Sequence, residues 1–167
     1  MTRPLVLVFA AALISAAPAA AAGPPSAVEV HGLTFSPPIA FSAPAPAGLD
    51  ALLVVHPANA RAGGEKVSLT AVAFPKDSGM SDAELLDYVK TTFLATSASG
   101  KPVSRTFLGK KVTGQALEKK IPAPSSAEVY VLTKKRGDKV VLGFVFSPGF
   151  AKEAEEAIAG IAATVKE

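Results

Sequence analysis

The chain has 167 residues, no cysteine, no tryptophan and a formal charge of +3. The missing cysteine excludes disulfides, thiolate metal sites and a lipid-modified N-terminal cysteine. His31 and His56 are the only histidines, so imidazole chemistry is confined to two positions.

Residues 1–22 read as a cleavable secretory signal peptide. Arg3 supplies a positive start, Leu5–Ile14 an apolar run, and Ala20-Ala21-Ala22 a small-residue cleavage pattern. The apolar run is shorter than the roughly 20 residues that a membrane span needs, and Pro18 interrupts its extension. The expectation is a soluble exported protein, periplasmic or extracellular, with no transmembrane segment in the mature chain. Residues 23–27 form a flexible start, and 28–167 a single domain. About 145 residues suffice for one domain that buries roughly two-thirds of its unfolded surface.

Val28–Phe35 reads as a first strand, interrupted at Gly32. Pro37, Pro38, Pro44 and Pro46 make the next stretch irregular or an edge, because proline removes a ladder donor. Leu49–His56 is a short apolar strand ended by Pro57, Asn59–Glu65 a loop, and Val67–Phe74 a strand apolar on both faces. Ser81-Asp82-Ala83-Glu84 fits a capping box, in which Ser81 caps and Glu84 reaches back. Leu85, Leu86, Val89, Phe93 and Thr96 follow at helical spacing. Gly100 and Pro102 close that helix, which is placed near 82–97.

Val103–Leu108 and Ala116–Ile121 read as strands joined through Gly109–Gly114. Val129–Thr133 and Val140–Phe146 then form a hairpin about Gly137-Asp138. That turn sets Val131 opposite Phe144 and Val129 opposite Phe146. A longer loop centred on Arg136-Gly137 slides the pairing by two and keeps the faces. Val140, Leu142, Phe144 and Phe146 point one way, Val141 and Val145 the other. A strand apolar on both faces belongs in the middle of a covered sheet. Ser147-Pro148 opens a final helix near 149–165 whose stripe is Phe150, Ala154, Ala157, Ile158, Ile161 and Val165. The fold class expected is α+β, an α/β/α sandwich. Its central, mainly antiparallel sheet has about six or seven strands, with the two helices covering its faces.

This order resembles the PsbP-like family, named for an extrinsic photosystem II subunit and including many small exported bacterial proteins of unknown role. Three stretches carry the resemblance: Gly32-Leu33-Thr34-Phe35-Ser36-Pro37-Pro38, the capped helix after Val67–Phe74, and Glu128–Leu132 running through Lys139–Phe146 into a helix ending Ile161-Ala162-Ala163-Thr164-Val165. The chain departs from many members in having no Trp after the early prolines. The resemblance implies the sandwich fold and no shared catalytic motif, so it transfers no functional residue.

The chemistry carried by the chain is sparse. No Gly-x-Ser-x-Gly elbow accompanies either histidine, and no His-Glu-x-x-His pair is present. Asp77, Asp82, Glu84 and Asp87 gather at the start of the first helix without calcium-loop spacing. They suit helix capping and a solvated face. No cofactor, metal site or catalytic residue is expected. Residues 101–139 hold ten Lys or Arg against three acids. Lys134-Lys135-Arg136 with Lys139 marks one hairpin tip and Lys110-Lys111 another turn; together they are the candidate contact for an anion or a partner. Against this stands the plain account that turns are wet and that lysine discourages edge pairing. Nucleic acid is not expected, because no aromatic residues interleave the basic run. The leading expectation is a non-enzymatic exported binding or accessory domain, its partner a protein or an anionic envelope component. A carrier of a small apolar ligand is the alternative. An enzyme site built from Asp, Glu and Lys is the third reading, and would require a deep pocket of convergent titratable groups.

Overall fold

The computed structural model describes residues 27–36, 41–42, 52–57, 67–92, 99–119 and 125–167. Residues 1–22, read as a signal peptide, residues 59–65, read as a loop, and the end of the first helix stripe (Phe93 and Thr96) lie outside the described residues. The strands are β1 (Val28–Val30), β2 (Leu33–Phe35), β3 (Phe41–Ser42), β4 (Leu52–Pro57), β5 (Val67–Phe74), β6 (Lys101–Phe107), β7 (Lys110–Lys119), β8 (Ser125–Thr133) and β9 (Lys139–Phe146). The helices are α1 (Asp82–Thr92) and α2 (Ala151–Thr164).

The main sheet is antiparallel throughout and runs β3-β4-β5-β9-β8-β7-β6. The two-faced strand β9 stands in the middle of it, between β5 and β8. Alternation along these strands divides the core in two. Leu69, Ala71, Tyr130, Leu132, Val140, Leu142 and Phe144 pack with Ile158, Ile161 and Val165, the α2 side. Val72, Val129, Val131 and Val141 pack with Leu85, Leu86 and Val89 of α1. The helices therefore lie against opposite faces. Each fully buried apolar side chain of this kind contributes roughly 1.5–3 kcal/mol.

Local chemistry sets the helix starts. Ser81 N–H and Oγ both donate to Glu84 Oε2 at 2.7 Å, and Glu84 N–H returns to Ser81 Oγ at 3.3 Å. The capping box is thus formed as read. The second helix differs: Ser147 makes no side-chain cap, and a 3-10 turn at Pro148–Phe150 leads into α2. Val165 lies past the helix in extended conformation and is still buried.

Three local expectations are corrected. Val28–Phe35 is a hairpin and not one strand: β1 and β2 pair about His31-Gly32, both with positive φ. Its buried Val30, Leu33 and Phe35 join the α2-side core, and Thr34 bridges Lys166 through two backbone bonds of 2.9 and 2.8 Å. Gly109–Gly114 is not a connecting loop. The turn is Leu108-Gly109, again with two positive φ values, and β7 begins at Lys110.

The third correction is a register. Val131 pairs with Val141 and Val129 with Gly143, three residues out of step with the two-residue-turn pairing and one out of step with the longer-loop pairing. Val129 and Val131 consequently share the α1 face with Val141 instead of facing Phe144 and Phe146. The cause is the turn. Lys134 N–H donates to Asp138 O at 2.8 Å and Gly137 N–H to Lys134 O at 2.9 Å, with Gly137 at φ 93°. This is a three-residue loop with a left-handed glycine, which fits the twist of the strands as well as a two-residue turn does.

Candidate functional site: a basic cleft between two hairpin tips

Antiparallel neighbours put the β6–β7 turn and the β8–β9 turn at the same end of the sheet. Strands β7 and β8 both continue to that end, yet their ladder stops at Gln115↔Val129. Beyond it, Lys110–Gly114 pairs only with β6, and Tyr130–Thr133 only with β9. The two hairpins separate here. Phe107, next to the β6–β7 turn, is buried in the α2-side core with its ring centroid 4.9 Å from that of Tyr130. Its ring belongs to the α2-side core.

The separation leaves a cleft with two openings. One, of about 410 Å³, lies between the diverging strands and is lined from Phe107 to Thr113 on one side and by Val131–Thr133 on the other, with Asp82 at its edge. The second, of about 460 Å³, lies on the α2 side and is lined by Leu108, Lys110, Thr133, Lys135 and the segment Val165–Glu167. Leu108, Lys110 and Thr133 belong to both. Around the two openings stand four lysines (Lys110, Lys111, Lys135 and Lys166) and two carboxylates (Asp82 and Glu167). Neither carboxylate is free. Lys139 Nζ donates to Asp82 Oδ1 at 2.6 Å, and the Glu167 carboxylate accepts from Lys135 N–H at 2.9 and 3.0 Å.

The six basic residues singled out in the sequence are therefore divided. Lys110, Lys111 and Lys135 line the cleft. Lys134 donates to His31 O at 3.0 Å and holds the β1–β2 hairpin. Lys139 reaches Met80 O at 3.2 Å as well as Asp82, and ties the tip end of the hairpin to the start of α1. Arg136 is exposed at the tip and lines neither opening. His31 sits in the β1–β2 turn, with Nε2 3.3 Å from Ala71 O. His56 contributes backbone to β4.

A second charged group went unnoticed in the sequence. Arg105 of β6 crosses β7 on the α2 side. Its Nε donates to Glu128 Oε2 at 3.0 Å and to the Tyr130 hydroxyl at 2.9 Å; Nη2 donates to Glu128 Oε1 at 3.2 Å. Nη1 and Nη2 grip the carboxylate of Glu155 on α2 at 2.8 and 2.6 Å. The Tyr130 hydroxyl donates to Glu128. Burial pushes the Tyr130 hydroxyl well above its ordinary pKa, and its bond to Glu128 adds to that. Hydrogen bonding to Glu155, and then to Glu128, raises the Arg105 guanidinium further. Arg105 in turn holds the Glu155 carboxyl below the usual range. None of these four side chains lines either opening of the cleft. The group ties β6, β8 and α2 together.

Among the described residues no set of His, Asp and Glu is arranged to hold a metal ion, and no helix is long and apolar enough to cross a membrane. No family model matches the chain, and no curated protein does. Among solved structures it is similar to PA94 from Pseudomonas aeruginosa, a protein of unknown function. The TM-score is 0.41 and the identity 13%, over 80% of this chain and 90% of that one.

Proposed function

We propose that the protein is an exported, non-enzymatic binding domain that holds an anionic partner in the cleft between its two hairpin tips. One observation carries the reading: Lys110 and Lys111 from one hairpin and Lys135 from the other line two adjoining openings that share Leu108, Lys110 and Thr133. Lysines on a concave surface focus their field, so an approaching anion meets more than the sum of isolated exposed charges. Export rests on the signal-like residues 1–22. The fold is read as an α/β/α sandwich of the PsbP-like kind, supported by helices packed on opposite faces of an antiparallel sheet. A binding role is favoured over an enzyme because the titratable cluster around Arg105 is internally satisfied and lies away from the cleft.

The test is binding of the purified protein to polyglutamate and to phosphatidylglycerol vesicles at rising salt. The wild type is expected to bind at least one probe, with affinity falling as salt rises. Lys110→Ser with Lys135→Ser should weaken that binding at least tenfold. Lys101→Ser with Lys152→Ser, the same double charge loss on exposed residues that line neither opening, should leave it nearly unchanged. Equal loss for both variants would mean that net charge alone drives the binding, and the cleft would have no part in it.

A further inference from the structure

We infer that the cleft docks an extended acidic peptide segment, which lies as a short strand between β7 and β8. The inference rests on the proposed anionic partner and names its class.

The first support is the pair of open strand edges. A strand directs its backbone N–H and C=O groups alternately to its two neighbours. Over Lys110–Gly114 the neighbour on one side is β6, and over Tyr130–Thr133 it is β9. The other sides of both segments face the opening between them. Such an edge is a template for an added strand. The opening spans about three residues on each strand, which at about 3.3 Å per residue fits a segment of about four residues. It cannot extend further, because the ladder closes at Gln115↔Val129.

The second support is an internal carboxylate. Glu167 already places its carboxylate on the N–H of Lys135 at the mouth of the cleft, with both oxygens within 3.0 Å. A backbone N–H flanked by Lys110, Lys135 and Lys166 is therefore an anion position that a carboxylate of this chain has filled. An acidic side chain of a partner would compete for the same N–H. Charge decides the sign of the partner: four lysines face two carboxylates, and Lys139 already neutralises one of those, Asp82. A peptide is favoured over a lipid surface because the open edges alternate N–H and C=O groups at strand spacing, a pattern that an extended backbone repeats and a headgroup does not.

The experiment uses a capped eight-residue L-peptide of alternating valine and glutamate, and the same peptide N-methylated at alternate residues. The two carry equal charge, but the second cannot donate along one edge. Binding is followed by the amide resonances of Lys111, Thr113, Val131 and Thr133 in the full-length purified protein. The expected result is shifts at these four residues, affinity at least tenfold weaker for the N-methylated peptide, and affinity raised severalfold by Glu167→Gln. Equal affinity for the two peptides would overturn strand pairing and leave the basic cleft standing. Binding of phosphatidylglycerol vesicles with no binding of either peptide would also overturn it, in favour of a membrane surface. If neither peptides nor vesicles nor polyglutamate bind, both this inference and the proposed function fall.

Discussion

A Cβ placed on Gly114 would stand 2.6 Å from Cδ1 of Tyr130 and 2.1 Å from the carbonyl oxygen of Val129. Only glycine lets β7 approach β8 this closely at the point where the two strands part. The ring of Tyr130 uses that space and, through its hydroxyl, meets Arg105 arriving from β6. Gly114→Ala should therefore cost about 2–3 kcal/mol, the upper range for overpacking, since one of the colliding atoms is backbone and cannot rotate away. Urea unfolding measures it. A loss below about 0.5 kcal/mol would mean that β7 and β8 can move apart without consequence.

The Arg105 group predicts an acid-side dependence. Glu155 is 59% exposed, whereas Arg105 and Glu128 are 17% and 14% exposed. Glu155→Gln should therefore cost less than about 1 kcal/mol at neutral pH, because solvent screens the pair. Arg105→Met leaves Glu128 without its cation and should cost about 3 kcal/mol. Glu155 has a lowered pKa in the folded protein. Its contribution is complete above the ordinary carboxylate range near pH 4.3 and is lost as pH falls through the lowered folded value. Stability of the wild type and Glu155→Gln measured from pH 7 to pH 2 should converge at the acid end. Parallel curves would contradict the assignment.

The capping box offers a cleaner local test. Ser81→Ala removes one acceptor and one donor at the start of α1 and should cost about 1 kcal/mol at neutral pH. The partner carboxyl of Glu84 is held below its ordinary range by the Ser81 N–H and then by its hydroxyl. Part of the cost of Ser81→Ala should therefore fade as pH drops through that lowered value. Thermal unfolding of both proteins at pH 7 and pH 2.5 gives the comparison, and an unchanged difference would place the loss elsewhere.

How far the sequence could be read depended on whether its signals were local. The Ser81–Glu84 box lies within four residues, so its hydrogen bonds were legible before any tertiary contact. The middle position of β9 followed from apolar residues on both its faces, a demand that only a central strand meets. The β8–β9 register did not follow, because Gly137 serves equally in a two-residue turn or at the end of a three-residue loop. The choice lay in backbone bonds of Lys134 and Asp138 that leave no compositional mark. The Leu108-Gly109 turn was hidden for the opposite reason: a leucine at φ 51° is held by its surroundings against its own preference.

The candidate site divides in the same way. That lysines gather at turns was plain from Lys110-Lys111 and Lys134-Lys135. Which of them face solvent was not, since Lys134 and Lys139 find partners about 100 and 60 residues away in sequence. Arg105, Glu128 and Glu155 carry no spacing signal at all.

The bridge between Thr34 and Lys166 bears on the order in which the domain can be completed. The β1–β2 hairpin emerges first in synthesis, yet Val30, Leu33 and Phe35 are covered by α2 and the residues that follow it. Until that late segment is available, these three side chains lack the cover that Ile158, Ile161 and Val165 supply, and the early hairpin is exposed to unwanted association. Docking it is a closing step that waits on the last part of the domain. A protein assembled this way profits from being kept unfolded until the whole chain is at hand.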